Sequence, residues 1–262
     1  MPPGRGGFPR LRRIIAELRR SCPWDREQTH RSLAPNLLEE CYEALEAIDE
    51  GDAARLREEI GDVLMQVLLH AEIAAGEGEF TLDDVLADIS AKLVHRHPHI
   101  FGTARVSSAG EVRDQWDRLK QEEKGGSLLD RVPRHMPALA QSQELQARAA
   151  RTGFDWEGVQ GVLEKVAEEV AELQRASSPQ EREDELGDLL FSLVNLCRHL
   201  RVDSETALRR AAGRFRRRFA YMEAACQGRG QRLEQLSLQE MEALWQEAKQ
   251  KTNPQGGSDA VC

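Results

Sequence analysis

The chain is poor in several features that would fix its class at once. Aromatic residues make up only 5% of it, which fits a helical, soluble protein. No apolar run approaches the roughly 18 residues that suggest a membrane span. Met1 to Arg10 contains Pro and Gly but no apolar centre, so it does not read as a secretory signal. The five cysteines, Cys22, Cys41, Cys197, Cys226 and Cys262, never fall in a Cys-x-x-Cys spacing. They read as reduced thiols, and a cytoplasmic location is expected. The net charge of −9 argues against general affinity for nucleic acid or an anionic membrane. There is no Walker A loop, no Gly-x-Gly-x-x-Gly and no Gly-x-Ser-x-Gly, which removes the common phosphate-cradling and serine-nucleophile motifs.

Charge is abundant, at 31% of residues, and it recurs in a pattern. Glu39-Glu40-x-x-Glu43 is followed by Glu59-x-x-Asp62. Glu168-Glu169-x-x-Glu172 is followed by Glu185-x-x-Asp188. Carboxylates at i and i+3 share a helix face. Two such helices packed together aim several negative charges at one point, and like charges raise each other's pKa unless a cation neutralises them. A divalent ion is the simplest neutraliser, and oxygen-only ligands favour Mg²⁺, with Mn²⁺ as a substitute, over zinc. The spacing selects Glu40, Glu43, Glu59 and Asp62 in the first copy. In the second it selects Glu169, Glu172, Glu185 and Asp188. Glu39 and Glu168 are turned by about 100° and are left to reach a further metal or to orient water.

Around these motifs nearly every segment carries a helical period. Leu38, Tyr42, Leu45 and Ile48 recur at three- to four-residue steps, as do Leu56, Ile60, Val63 and Val67. In the second half Val162, Val166, Val170 and Leu173 form one stripe, and Leu186, Leu189, Leu193 and Leu196 another. Ser32 to Pro35 reads as a helix entry with Pro35 early in the first turns. Gly51-Asp52 reads as a break with Asp52 as N-cap. Thr81, Ser108-x-x-Glu111, Ser178 before Pro179, Ser204 and Ser237-x-x-Glu240 mark further helix starts. No strand alternation is convincing. The fold expected is all-α, in two tandem four-helix units. The first spans residues 9–124, a linker with a short helix 125–151, the second unit 152–252 and a disordered tail 253–262.

The two halves align as a repeat. Beyond the acidic motifs, Lys92 and Arg96 align with Arg214 and Arg218, and Trp116-x-x-x-Lys120 with Trp245-x-x-x-Lys249. Arg214 and Arg218 lie one turn apart, between a phosphate role and a solvated basic face; Phe215 and Phe219 mark the buried side, which favours phosphate. Trp245 with Lys249 could stack on a base and reach phosphate, or Trp245 could be core. Lys165 sits one turn before Glu168-Glu169, whereas the matching residue of the first copy is Asn36. That difference makes the second copy the better candidate for the main active site. His95-x-His97-Pro98-His99 lacks a nearby cysteine or further histidine and is not taken as a zinc site.

These residues resemble a known family. The doubled acidic motif, CPWDREQT (Cys22–Thr29), HRHPHIF (His95–Phe101), RTGFDW (Arg151–Trp156), DELGDLLF (Asp184–Phe191) and MEALWQEAK (Met241–Lys249) are similar to the all-α nucleoside triphosphate pyrophosphohydrolases, in the duplicated MazG-like form. The resemblance covers about Leu11 to Lys251. It implies Mg²⁺-dependent hydrolysis of (deoxy)nucleoside triphosphates to the monophosphate and pyrophosphate, a housecleaning of the nucleotide pool. It also implies Glu169, Glu172, Glu185 and Asp188 as metal ligands, and Lys165, Glu168, Arg214 to Arg218 and Trp245, with Lys249 behind it, as nucleotide contacts. An interlocked homodimer is implied as well. Two alternatives stand beside it. One is a narrower dUTP or dCTP pyrophosphatase of the same fold, separable by a nucleotide panel. The other is a non-enzymatic helical regulator, which would show no turnover even with Mg²⁺.

Overall fold

The computed structural model describes residues 7–122, 127–130 and 132–252; the tail at 253–262 lies outside them. Every regular element among the described residues is helical, with no strand. The chain divides into two compact units, residues 1–125 and 126–262.

The first unit holds α1 (Phe8–Ser21), α2 (Pro23–Glu27), α3 (His30–Glu50), α4 (Ala53–Glu77), α5 (Leu82–Arg96), α6 (Pro98–Phe101) and α7 (Ala109–Glu122). Its frame is the α3–α4 hairpin. Gly51 closes α3 in the left-handed conformation at φ 70°, which costs glycine no Cβ clash. Asp52 then caps α4 by accepting from the Ala54 and Arg55 amides. Ile15, Leu33, Leu68, Leu69, Ala71, Ile73 and Leu82 form the core of this unit.

One expected boundary is corrected. α3 does not enter at Ser32–Pro35. Thr29 caps it, the Thr29 hydroxyl accepting from the Ser32 amide while the Ser32 hydroxyl accepts from the Thr29 amide. This reciprocal pair satisfies two otherwise orphaned donors and moves the start three residues earlier. Pro35 is thereby left inside the helix, where its missing N–H leaves one carbonyl of the first turn without a helical partner.

The second unit holds α8 (Ala138–Ala150), α9 (Val159–Arg175), α10 (Pro179–His199), α11 (Ser204–Gly228) and, after a 3-10 turn, α12 (Leu238–Thr252). Here α9 and α10 form the hairpin. The Ser178 hydroxyl accepts from the Glu181 amide while the Glu181 carboxylate accepts from the Ser178 amide, with Pro179 in the first turn as its sequence position suggests. α11 starts at Ser204 as its sequence suggests, with Asp203 capping it by accepting from the Thr206 amide. A core of Met222, Cys226, Leu244 and Ala248 joins α11 to α12. The stripe read on α10 is only partly covered within the chain, since Leu186 and Leu193 remain exposed, as does their neighbour Leu190.

Candidate active site

In both units the acidic motifs face each other across the helical hairpin. On α9, Glu169 brings a carboxylate oxygen to within 4.8 Å of oxygens from Glu185 and Asp188 on α10. On α3 and α4, Glu40, Glu59 and Asp62 form the same group within the same limit. Glu169 is 4% exposed and Glu59 8% exposed. A carboxylate taken that far from water requires a compensating cation or hydrogen bonds.

The remaining members of each expected quartet, Glu172 and Glu43, stand just outside these three-residue groups. Both are close enough to act on them. Glu185 has its pKa raised by burial first and then by the charges of Glu172, Glu169 and Asp188. Glu43 is raised chiefly by the charge of Glu59, with a side-chain contact between the two. Glu40 is raised by burial, then by Asp62, Glu43 and Glu59. Both sites therefore hold negative charge in excess of what their surroundings neutralise. Oxygen-only donors, converging and partly desolvated, suit a hard divalent cation.

The cations are arranged differently in the two copies. Lys165, one turn before the acidic doublet, places its ammonium 2.8 Å from Glu169 and 2.9 Å from Glu168. Those two carboxylates push the Lys165 pKa up. Asn36 cannot do this in the first copy. There Arg55 reaches the site from α4 instead, with its Nε 3.4 Å from Glu59 and its other nitrogens 2.7 Å from Glu46 and 2.9 Å from Glu50. The sequence pattern gave no hint of this arginine, because nothing of its type stands at the matching place in the second copy.

Arg218 and Trp245 form a further group on α11 and α12. The Arg218 guanidinium lies over the indole at 5.7 Å from the ring centre, and Phe215 packs against the same ring at 5.3 Å. Trp245 is partly buried against the α11–α12 core, so core packing and a partly open face coexist at one residue. The first unit repeats the pairing, with Arg96 at 5.3 Å over Trp116. His97 packs edge-on against Trp116 and contacts the Leu93 carbonyl through Nδ1. Lys249 meets Gln246 at 3.3 Å.

One cluster went unread in the sequence beyond its place in the RTGFDW segment. Asp155 accepts from the guanidinium of Arg198, including an Nη1 contact at 2.9 Å, and from the Trp156 amide. His199 adds a contact at 3.1 Å. The Arg198 hydrogen bonds hold the Asp155 pKa down at about 2. Trp156 in turn lies directly over Gly161 of α9, where a Cβ would meet the ring at 2.9 Å. Beside this cluster is a mainly apolar cavity of about 540 Å³, walled by Leu145, Phe154, Trp156, Phe191 and Asn195. Phe191 is one helical turn beyond Asp188. The RTGFDW segment by itself says nothing about a partner on α10.

Paired helical hairpins with matched converging carboxylates define a duplicated all-α protein with two acidic candidate centres. Comparisons with known proteins give the family. Residues 28–101 match the MazG nucleotide pyrophosphohydrolase domain and residues 138–214 match phosphoribosyl-ATP pyrophosphohydrolase. The chain is 45% identical over 247 residues to the nucleoside triphosphate pyrophosphohydrolase/pyrophosphatase MazG of Thermotoga maritima, covering 92% of this chain and 95% of that protein. It is 42% identical over 254 residues to the nucleoside triphosphate pyrophosphohydrolase of Escherichia coli K12, at 92% and 97% coverage. A crystal structure of a mazG-related protein from Thermotoga maritima aligns with 43% of this chain and 98% of its own at 33% identity, with a TM-score of 0.39. The chain belongs to the MazG family of nucleoside triphosphate pyrophosphohydrolases.

Proposed function

We propose that the chain hydrolyses (deoxy)nucleoside triphosphates to the monophosphate and pyrophosphate in a Mg²⁺-dependent reaction, with the main site at the α9–α10 hairpin. The observation that carries this reading is the convergence of Glu169, Glu185 and Asp188 within 4.8 Å, beside Lys165, whose ammonium is 2.8 Å from Glu169. The relatives named as nucleoside triphosphate pyrophosphohydrolases support the substrate class.

Glu169, Glu185 and Asp188 would hold the ion, with Glu172 as the flanking fourth carboxylate. Bound there, Mg²⁺ would neutralise triphosphate charge and acidify a water for attack on phosphorus. The remaining work falls to the chain. Lys165 leaves Glu168 and Glu169 to meet a phosphate oxygen. Glu168, freed from that contact, orients the attacking water. Arg214 and Arg218 neutralise charge developing on the leaving pyrophosphate. Trp245, already bearing the Arg218 guanidinium on its ring, offers its open face to the base, with Lys249 one turn on. Mn²⁺ is expected to replace Mg²⁺.

The working assembly proposed is a homodimer. Leu186, Leu190 and Leu193 on α10, like Ile60 and Val67 on α4, are exposed in the single chain at spacings that place them on one helix face. No described helix is long and apolar enough to cross a membrane, and a cytoplasmic role in nucleotide-pool housecleaning fits the composition.

The test is pyrophosphate release on a panel of eight nucleotides, with and without Mg²⁺, by the whole chain and by Glu185→Gln. Broad, metal-dependent release that the variant loses is expected. Release confined to dUTP or dCTP would select the narrower enzyme. Absence of release with every nucleotide, or release indifferent to Glu185→Gln, would overturn the assignment.

A further inference from the structure

The two carboxylate groups are built from matching residues but have different internal cations, and the difference reaches beyond the loss of a lysine at Asn36. Lys165 belongs to the same helix turn as the glutamates it touches, and its flexible stem carries a single charge that phosphate can draw away. Arg55 is fixed from two helices. Glu46 and Glu50, on the last turns of α3, hold two of its nitrogens at 2.7 and 2.9 Å. Its Nε is thereby directed at Glu59, 3.4 Å away, and Glu59 is the most buried carboxylate of the first group. In the second copy the residue four before Glu185 is Glu181, which instead accepts from the amides of Ser177 and Ser178 at the start of α10. The matching position thus carries no guanidinium, and Arg175 lies 3.9 Å from Glu172 at the edge of the second group.

We infer that Arg55 is a built-in counter-ion of the first carboxylate group, holding a fixed positive charge against Glu59 so that this copy binds divalent metal far more weakly than the second. A guanidinium does not give up its proton. Two anchoring carboxylates outside the ligand group keep it from swinging away when a metal approaches. A metal ion entering among Glu40, Glu59 and Asp62 must bear repulsion from a cation a few ångströms off, in partly desolvated surroundings where that repulsion is poorly screened. The first unit would then keep the fold of a metal site, with its buried acid already neutralised, and the chain would carry one high-affinity metal centre. This rests on the reading of the second group as a Mg²⁺ site.

The experiment is Mn²⁺ titration of the full chain, followed by the electron paramagnetic resonance signal of the free ion. The unaltered chain should show one tight site. In a chain carrying Glu185→Gln and Asp188→Asn only the first group remains, and weak binding is expected. Adding Arg55→Gln should tighten that remaining site by about tenfold or more, as should Arg55→Met, whereas Arg55→Lys, which keeps a charge, should leave it weak. Helix content by circular dichroism identifies which charge-removing variant is folded and carries the comparison. If removing the charge leaves first-site affinity unchanged while the second site binds normally, Arg55 is only a helix–helix staple and the inference fails. If the unaltered chain has no tight site that Glu185→Gln and Asp188→Asn remove, the metal reading of the second copy fails instead.

Discussion

The ammonium of Lys165 lies 2.8 Å from a carboxylate oxygen of Glu169, a residue only 4% exposed. Without metal, this contact is what makes a buried carboxylate tolerable. With the proposed metal and substrate bound it would become redundant, because the ion would neutralise Glu169 and the triphosphate would offer Lys165 a new partner. One side chain would thus serve stability in the empty enzyme and binding in the loaded one.

Lys165→Met separates the two roles. Leaving Glu169 without its cation should destabilise the metal-free protein by about 1–2 kcal/mol once the partial exposure of Lys165 is allowed for. Added Mg²⁺ should then raise the melting temperature more in the variant than in the parent. With Mg²⁺ present the KM for nucleotide should rise about tenfold or more, from loss of a charge-assisted phosphate contact. Equal metal-induced shifts in both proteins would show that Lys165 does not compensate Glu169.

A second prediction concerns pH. Burial, then Glu172, Glu169 and Asp188, hold Glu185 above the ordinary carboxylate value of 4.5. Between that value and the raised one, the folded protein keeps a proton on Glu185 that the unfolded chain has released. The stabilisation from this group is therefore present at the acidic end and lost as pH rises through the folded pKa. Metal binding needs the carboxylate ionised, so it should strengthen over the same window. The melting-temperature rise caused by fixed Mg²⁺ should grow as the pH is raised above the ordinary carboxylate value of 4.5. Glu185→Gln should flatten that growth, and an unchanged slope in the variant would remove Glu185 from the metal group.

Much of this arrangement was legible in the sequence for a physical reason. Helical periodicity fixes which side chains share a face, so the i, i+3 carboxylates and the Gly51-Asp52 break located the hairpin and the side of it that bears charge. The alignment of Arg96 with Arg218 and of Trp116 with Trp245 likewise appears in space as two guanidinium-over-indole pairs. What escaped depends on long side chains crossing between elements. Arg55 to Glu46 and Arg198 to Asp155 are set by rotamer and by hairpin geometry, and neither has a spacing rule. The start of α3 escaped because Thr29 and Ser32 form a reciprocal cap without the usual Glu or Gln, while Pro35 looked like the stronger signal. Glu43 and Glu172 show a finer limit: spacing puts them on the right face, but it cannot say which three of four carboxylates converge.

The exposed stripe of Leu186, Leu190 and Leu193 leads to a third prediction. Leu190→Asp leaves the α9–α10 hairpin free to form within one chain but puts a charge in the face proposed to meet a partner. Sedimentation should then shift from dimer toward monomer at micromolar protein. Activity should fall along with assembly, because the homodimer is the proposed working assembly. A parent protein that sediments as a monomer at concentrations where it is fully active would remove the homodimer.

The last prediction tests the cluster beside the cavity. Asp155 anchors the loop before α9 to the end of α10 by accepting from Arg198, and the same loop lays Trp156 over Gly161. Its carboxyl is held down at about 2, against an ordinary 3.8. A depressed acid stabilises the fold above its unfolded value and loses that contribution as pH falls through the folded one, so the window is about pH 4 down to 2. At neutral pH Arg198→Ala should cost about 1–2 kcal/mol, after discounting for the part of the pair open to solvent. The cost should shrink as the pH is lowered through that window, where the parent loses the same interaction by protonation. Asp155→Asn should show a similar loss at neutral pH, and combining the two changes should cost less than the sum of the separate losses, because they break one contact. Strict additivity in urea unfolding would mean that the two residues act independently and that the loop is held in place by Trp156 packing alone. In that case Gly161→Ala, which forces the indole to shift, should be the more damaging substitution.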